Sequence, residues 1–255
     1  MKFQKLYMRA ELIECDKIVT GHYARVEFDE QSGKYKLLKA KSLDKDQSYV
    51  LYFLNQQQLA HTDFPLGRFE SKEEVRSLAR DYGFVNAKKH DSQDICFVQN
   101  ESYGDFIERY AGLKFPEGDF VDQNGNVLGR HKGLIRYTVG QRKGLGLSLP
   151  APLYVKGKDM EHNRVILSPE DGLYTKNVVA NDFNFVSGEP FSKPVRVTAK
   201  PRYRAKEAPA VAEVRPDGTV KIVFDEPQRA VTTGQAIVLY DGDEVMGGGT
   251  IISTE

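Results

Sequence analysis

The stretch "RVTAKPRYR" (196–204) decides how the C-terminal third of this chain is built. Its side chains alternate in character. Arg196, Thr198, Lys200, Arg202 and Arg204 fall on one face, and Val197, Ala199, Pro201 and Tyr203 on the other. A period of two is the signature of a strand with one buried face. From about Asn177 onward no helical period occurs. Short alternating segments are separated by "PDG" (216–218) and "DGD" (241–243). This pattern predicts a small antiparallel barrel or sandwich. Four basic residues on one strand face repeat every ~6.6 Å, close to the step between phosphates in a nucleic-acid strand. The competing reading is an edge strand that carries Lys and Arg against aggregation.

Toward the N-terminus the texture is different. Phe3, Leu6, Tyr7, Ala10 and Ile13 recur at helical spacing and predict an amphipathic helix over 2–14. "DKIVTGHYARV" reads as a strand, a turn at Gly21 and a second strand, and "KYKLLKAKS" as a third. A helix is predicted over 71–82. Ser71 and Glu74 form its capping box, Val75, Leu78, Ala79 and Tyr82 its apolar face, and Gly83 its stop. Helices alternating with short strands predict an α/β layer. Between the two regions, 102–110 reads as a short helix. "GDFVDQNGNVLG" reads as a hairpin turning at Asn124-Gly125.

Composition narrows the class. The chain has 255 residues, enough for two or three small domains. Hydrophobic residues make up 40% and charged residues 28%, as in globular proteins. Two cysteines cannot staple a fold of this size and suit a reducing cytosol. No apolar run is long enough to span a bilayer, no secretory signal is visible, and cytoplasmic location with no membrane partner is expected. The formal net charge is zero, so nucleic-acid binding must rest on local basic patches.

Five stretches could carry chemistry. In "HDSQDICFV" (90–98), Lys88, Lys89 and His90 favour a thiolate at Cys96, whereas Asp91 and Asp94 oppose it. A buried packing thiol is the ordinary alternative, and the preferred one for Cys15. In "TGHYARV" (20–26), Gly21 at a strand end lets a backbone approach a ligand. Lys45, Asp46 and Gln47 in "LDKDQSYVLYFL" (43–54) read by themselves as a solvated helix start. "GQRKGLG" (140–146) carries Arg142 and Lys143 but fits neither the dinucleotide nor the P-loop pattern. The fifth is the basic strand 196–204.

Taken together, these stretches resemble tRNA-specific 2-thiouridylases (tRNA-uridine 2-sulfurtransferases). The resemblance is carried by "TGHYARV", "LDKDQSYVLYFL", "FPLG" (64–67), "AKKHDSQDICFV", "HKGLIRYTVGQRKGLG", "RYR" (202–204), "FDEPQRAVTTGQ" (224–235) and "GGGTI" (247–251), in the family's order over almost the whole chain. It implies an α/β plus β architecture. A partial PP-loop-type nucleotide-binding layer would occupy 1–100, a small central domain 101–168 and an antiparallel β-barrel 169–255. It implies ATP-dependent 2-thiolation of the wobble uridine of tRNA, with Mg²⁺ accompanying the ATP. ATP adenylates the C2 oxygen, and persulfide sulfur then displaces it as AMP. Residue by residue, the match makes Cys96 the persulfide carrier and Gly21 an ATP contact. His22, Lys45, Asp46, Gln47, Arg202, Tyr203 and Gln235 become tRNA contacts. A sulfur-donor protein, such as a cysteine desulfurase or relay protein, is the implied second partner.

Two departures qualify the resemblance. The family's Gly-rich, Ser-containing pyrophosphate loop and its other catalytic Cys have no counterpart in these residues. A fragment or one part of a split enzyme is therefore expected, inactive by itself. The alternative is a non-catalytic tRNA-binding module.

Overall fold

The computed structural model describes residues 2–85 and 102–254. The first helix, α1 (Lys2–Leu12), buries Phe3, and β1 (Ile18–Val19) follows it. Next, β2 (Ala24–Asp29) and β3 (Lys34–Lys39) form an antiparallel hairpin. The four residues between them are too few for the crossover that parallel pairing requires. Gly33 accommodates the turn at φ 66°.

Beyond this hairpin, α2 (Gln56–Ala60) is opened by a reciprocal cap. Asn55 Oδ1 accepts from the Gln58 N–H at 2.9 Å, and Gln58 Oε1 accepts from the Asn55 N–H. Among the described residues, the parallel pair of β1 with β4 (Thr62–Asp63) is what the α/β layer contributes as sheet. The next helix, α3 (Lys72–Asp81), is capped by Ser71, which accepts from the Glu74 N–H at 3.3 Å. The Glu74 carboxylate reaches back to the N–H of Glu70 rather than to that of Ser71. The predicted apolar stripe of α3 buries none of its residues, and Leu78 and Tyr82 are exposed.

After 102 come α4 (Tyr103–Ala111), β5 (Gly118–Val121), β6 (Val127–His131), β7 (Tyr154–Asp159) and β8 (Arg164–Ser168). The predicted hairpin is β5–β6, and Asp122 accepts from the backbone of Asn124 and Asn126 to shape its turn. The sheet order is β6-β5-β8-β7, with β5 and β8 parallel.

The C-terminal strands are β9 (Tyr174–Phe185), β10 (Val195–Lys200), β11 (Ala208–Val214), β12 (Val220–Arg229), β13 (Ala236–Asp241) and β14 (Glu244–Thr254). They run β13-β10-β11-β12-β9-β14, and β14 returns to β13, so the predicted barrel closes with six strands. Closure removes the exposed edges an open sheet would present. The glycines of β14 permit this packing. A Cβ on Gly248 would lie 2.7 Å from the Tyr52 ring, and one on Gly249 2.5 Å from Asn181 O.

The hairpin β2–β3 differs from the expectation of an α/β layer. It extends the barrel sheet through β3–β14, with Leu38 opposite Glu244. Its buried residues Ala24 and Leu37 join Phe3, Leu51, Leu54, Phe64, Val238 and Tyr240 in one core. The chain accordingly divides into two compact units. The first comprises 1–89, 176–226 and 232–255; the second comprises 90–175 and 227–231. The second has its own core, centred on Phe120, Tyr137, Val155, Val165 and Leu167.

Candidate nucleic-acid interface

The segment 43–54 folds as two 3-10 turns, Leu43–Lys45 and Ser48–Leu51, with Asp46 and Gln47 between them. Asp46 holds this geometry. Its Oδ1 accepts from the N–H of Ala40 (2.9 Å) and of Ser48 (3.2 Å), and its Oδ2 accepts from Ser48 Oγ (2.7 Å). Gln47 ties the turn to the "TGHY" loop. Its N–H donates to Tyr23 O at 2.8 Å, and its Oε1 accepts from the Tyr23 N–H at 3.0 Å. His22, half-buried beside Tyr23, shares a hydrogen bond with Thr20 Oγ1 at 2.7 Å and packs against Phe3 and Phe64. Gly21 is exposed, and a Cβ there would meet only Leu66 Cδ1, at 3.6 Å.

Lys45 shares its field with α3. The ammonium pKa of Lys72 is held below its ordinary value, by burial first and then by the charges of Lys45 and Arg76. Three cations thus bear on one another, and Arg76 also pairs with Glu73 at 3.9 Å.

The organising side chain is Tyr49. It is buried, and its hydroxyl donates to Ala236 O at 2.7 Å. Burial, with a smaller contribution from Tyr52, pushes its phenol pKa up to about 12. The Tyr203 ring lies 5.7 Å from the Tyr49 ring at an interplanar angle of 60°. Lys200 Nζ sits over both rings, 5.7 Å from one centroid and 5.9 Å from the other. Tyr203 keeps 45% of its surface exposed. A ring fixed on its inner side and open on its outer side is a platform for stacking a base. Gln235, immediately before Ala236, has its Oε1 buried with no hydrogen-bond partner among the described residues. Such an acceptor is costly unless a ligand or solvent satisfies it.

The basic strand is shorter than its alternation suggests. Val197 and Ala199 are buried as expected, but β10 ends at Lys200. Pro201 cannot donate to the ladder, and 202–205 turn away, with the Ala205 N–H bonded to Arg202 O at 3.0 Å. Arg202 and Arg204 therefore do not continue the face of Arg196. Arg196 itself is committed to a two-pronged pair with Asp225, one bond being 2.8 Å. Thr198 donates to Glu207. Arg202 and Arg204, like Lys200 over the two tyrosine rings, have no ion-pair partner among the described residues and are left for a phosphate.

Chain contacts thus draw together four segments: 20–23, 45–49, 200–203 and 235–236. Sequence reasoning singled out residues in each of them. It missed Tyr49, Lys72 and Arg76. The tyrosine sits in what reads as an apolar run, and its value as a hub arises only from tertiary contact. Cys96 lies outside the described residues. Cys15 is exposed. The 140–146 loop belongs to the second unit, where it is pinned by Gly140 N–H to Val155 O (2.7 Å) and Val155 N–H to Gln141 O (2.9 Å). Among the described residues no group of three or more His, Cys, Asp or Glu could hold a metal ion, and no helix is long and apolar enough to cross a membrane. The same residues fit one edge of an ATP site at most: Gly21 leaves backbone open to a ligand, without a phosphate cradle around it.

Three families match successive parts of the chain. Residues 1–100 match the family described as "tRNA methyl transferase HUP domain", 104–169 its "PRC-barrel domain" and 175–251 the "Aminomethyltransferase beta-barrel domain". Among curated relatives, a tRNA-specific 2-thiouridylase, MnmA, of Acetivibrio thermocellus is 49% identical over 251 residues, 98% of this chain and 70% of the relative. That of Clostridioides difficile is 45% identical over 251 residues, 98% of this chain and 69% of the relative. That of Halothermothrix orenii is 49% identical over 252 residues, 98% and 70% respectively. Identity this high along nearly the whole length, over the segments that the fold draws together, leads to one conclusion: the chain belongs to the family of tRNA-specific 2-thiouridylases.

Proposed function

We propose that this protein is a tRNA-modifying transferase acting in 2-thiolation of the wobble uridine of tRNA. The observation that carries the proposal is the convergence of four segments on Tyr49, Tyr203 and Lys200. In this reading Tyr203 stacks a base and Arg202 contacts phosphate. His22, Lys45, Asp46, Gln47 and Gln235 complete the tRNA surface. Asp46 and Gln47 act mainly by holding the loop geometry, since their side chains are used within the chain. ATP supplies the activation, converting the C2 oxygen into part of a good leaving group, AMP. Gly21 would face that nucleotide, and any Mg²⁺ would arrive with its phosphates. Cys96 would present the sulfur as a persulfide loaded by a donor protein such as a cysteine desulfurase. The domains would divide at 1–100, 101–168 and 169–255, in a cytoplasmic protein. The 255 residues alone would bind tRNA without modifying it. Formation of 2-thiouridine by the purified chain with ATP and a sulfur donor would refute that last point.

Binding is tested by titrating unmodified tRNA at several salt concentrations. Arg202→Ala should weaken affinity and reduce the log–log salt slope by about 1. Unchanged affinity and slope would leave Arg202 outside the interface. The sulfur-carrier role is read by mass spectrometry after exposure to a cysteine desulfurase and cysteine. The expected result is a gain of one sulfur at Cys96 and none at Cys15. The reverse pattern would remove Cys96 from the mechanism.

A further inference from the structure

A second concave site lies in the first unit, on the side of α1 that faces α2. It has a volume of about 560 Å³ and is lined by Gln4, Tyr7 and Met8 of α1, by Phe53 and Gln57, and by Asn184 of β9. Four of its amides are held in fixed orientations by bonds that use one end of each. Asn184 Nδ2 donates to the carbonyls of Tyr52 (2.7 Å) and Leu54 (3.0 Å), leaving Oδ1 as a free acceptor. Gln57 Nε2 donates to Tyr7 Oη at 2.9 Å, leaving Oε1. The nearby Glu11 carboxylate raises the Tyr7 phenol pKa. Asn55 and Gln58, also in the wall, spend their oxygens on the α2 cap and keep their NH₂ groups.

The site therefore offers oriented donors and acceptors together with the flat surfaces of Phe53 and Tyr7 and the thioether of Met8. No Lys or Arg lines it, and Glu11 stands at its wall. That combination rejects a phosphate and suits an uncharged planar group with hydrogen-bonding edges. Oxygen ends from one pair of amides and NH₂ ends from another can match such edges between them, and aromatic rings stack their faces. An aromatic ladder joins it to the proposed tRNA surface: the Phe53 ring is 6.0 Å from Phe3, and Phe3 is 5.7 Å from His22.

We propose that this groove receives an unstacked nucleobase of the bound RNA, at a position separate from the Tyr203 platform. The inference rests on the tRNA reading above, but its test does not. The chain has four methionines, so the Met8 methyl resonance of a ¹³C-methyl-Met sample is readily assigned. The probes are the four free ribonucleosides, AMP, and N-acetylglycinamide as a peptide-backbone mimic. At least one nucleoside should shift Met8 saturably. AMP should bind no tighter than adenosine. Gln57→Met, at an exposed position, should weaken the effect by about threefold to tenfold, the scale of one lost hydrogen bond. No saturable shift with any nucleoside, or an equal response in Gln57→Met, would overturn the proposal. A shift with the peptide mimic alone would overturn it in favour of a protein ligand. Loss of this response with the Arg202 salt effect intact removes the pocket but keeps the tRNA reading. A retained nucleoside response with no Arg202 salt effect takes Arg202 out of the interface and leaves the pocket standing.

Discussion

Asp46 shows how one residue can be read two ways. Family resemblance makes it a tRNA contact, and local sequence makes it a solvated helix start. Its carboxylate accepts from two backbone N–H groups and one hydroxyl of its own chain. Hydrogen bonds to a charged acceptor contribute roughly 1.5–3 kcal/mol each, with overlapping contributions when they share one group. Asp46→Ala should therefore lower unfolding free energy by about 2–4 kcal/mol. Denaturant titration followed by tyrosine fluorescence measures this. A loss of tRNA affinity in Asp46→Ala at unchanged stability would make Asp46 a direct contact instead. Tyr203 and Arg202 present the opposite case, with exposed side-chain surface.

At the scale of elements, two glycines at neighbouring places carry different constraints. The 3-10 turn Pro65–Arg68 packs so closely on β2 that a Cβ on Gly67 would lie 1.7 Å from Ala24 O. Backbone cannot yield as a side chain can, so Gly67→Ala should cost about 3 kcal/mol or more. Gly21→Ala meets ordinary contact only and should change stability by less than about 1 kcal/mol. Thermal melts of the two variants check the pair. Equal destabilisation would contradict the geometry. Gly21→Ala then becomes a clean probe of nucleotide contact, since the fold does not need that glycine. The same scale explains what was legible beforehand. Helices α1 and α3 and the β5–β6 turn were readable because caps, periodicity and Asn-Gly are local signals. The length of β10 was not, because alternation continues through 201–204 while a single missing N–H ends the ladder. The address of β2–β3 was equally hidden. A hairpin signal shows which strands pair with each other and is silent on the sheet that receives them.

At the scale of the molecule, the N-terminal layer and the barrel share one core, in which Tyr49 and Tyr240 are buried and Tyr52 is packed against them. The resemblance placed functional residues in both parts, and this shared core is why they meet. It also gives the first unit a pH dependence that can be worked out. Burial is the largest cause of the raised phenol pKa values of Tyr23, Tyr49, Tyr52 and Tyr240, with Tyr49 pushed up to about 12 from an ordinary value of 10.0. Above pH 10 the unfolded chain releases these protons while the folded chain retains them. The folded state then binds more protons, and stability falls as pH rises. The contribution is fully present below about pH 10 and is lost progressively through about pH 12. Among the described residues all tyrosines with raised values lie in the first unit, including Tyr7. Alkaline unfolding should therefore strike that unit before the second. Hydrogen exchange at pH 9, 10 and 11, corrected for intrinsic rates, should show protection falling first in β13 and β3, while β5 and β8 hold. Tyr49→Phe removes one titrating group and should flatten the decline, at the cost of the bond to Ala236, worth about 1 kcal/mol at neutral pH. Simultaneous loss of protection in both units, or an unaltered slope in Tyr49→Phe, would mean that the shared tyrosine core does not set the alkaline limit.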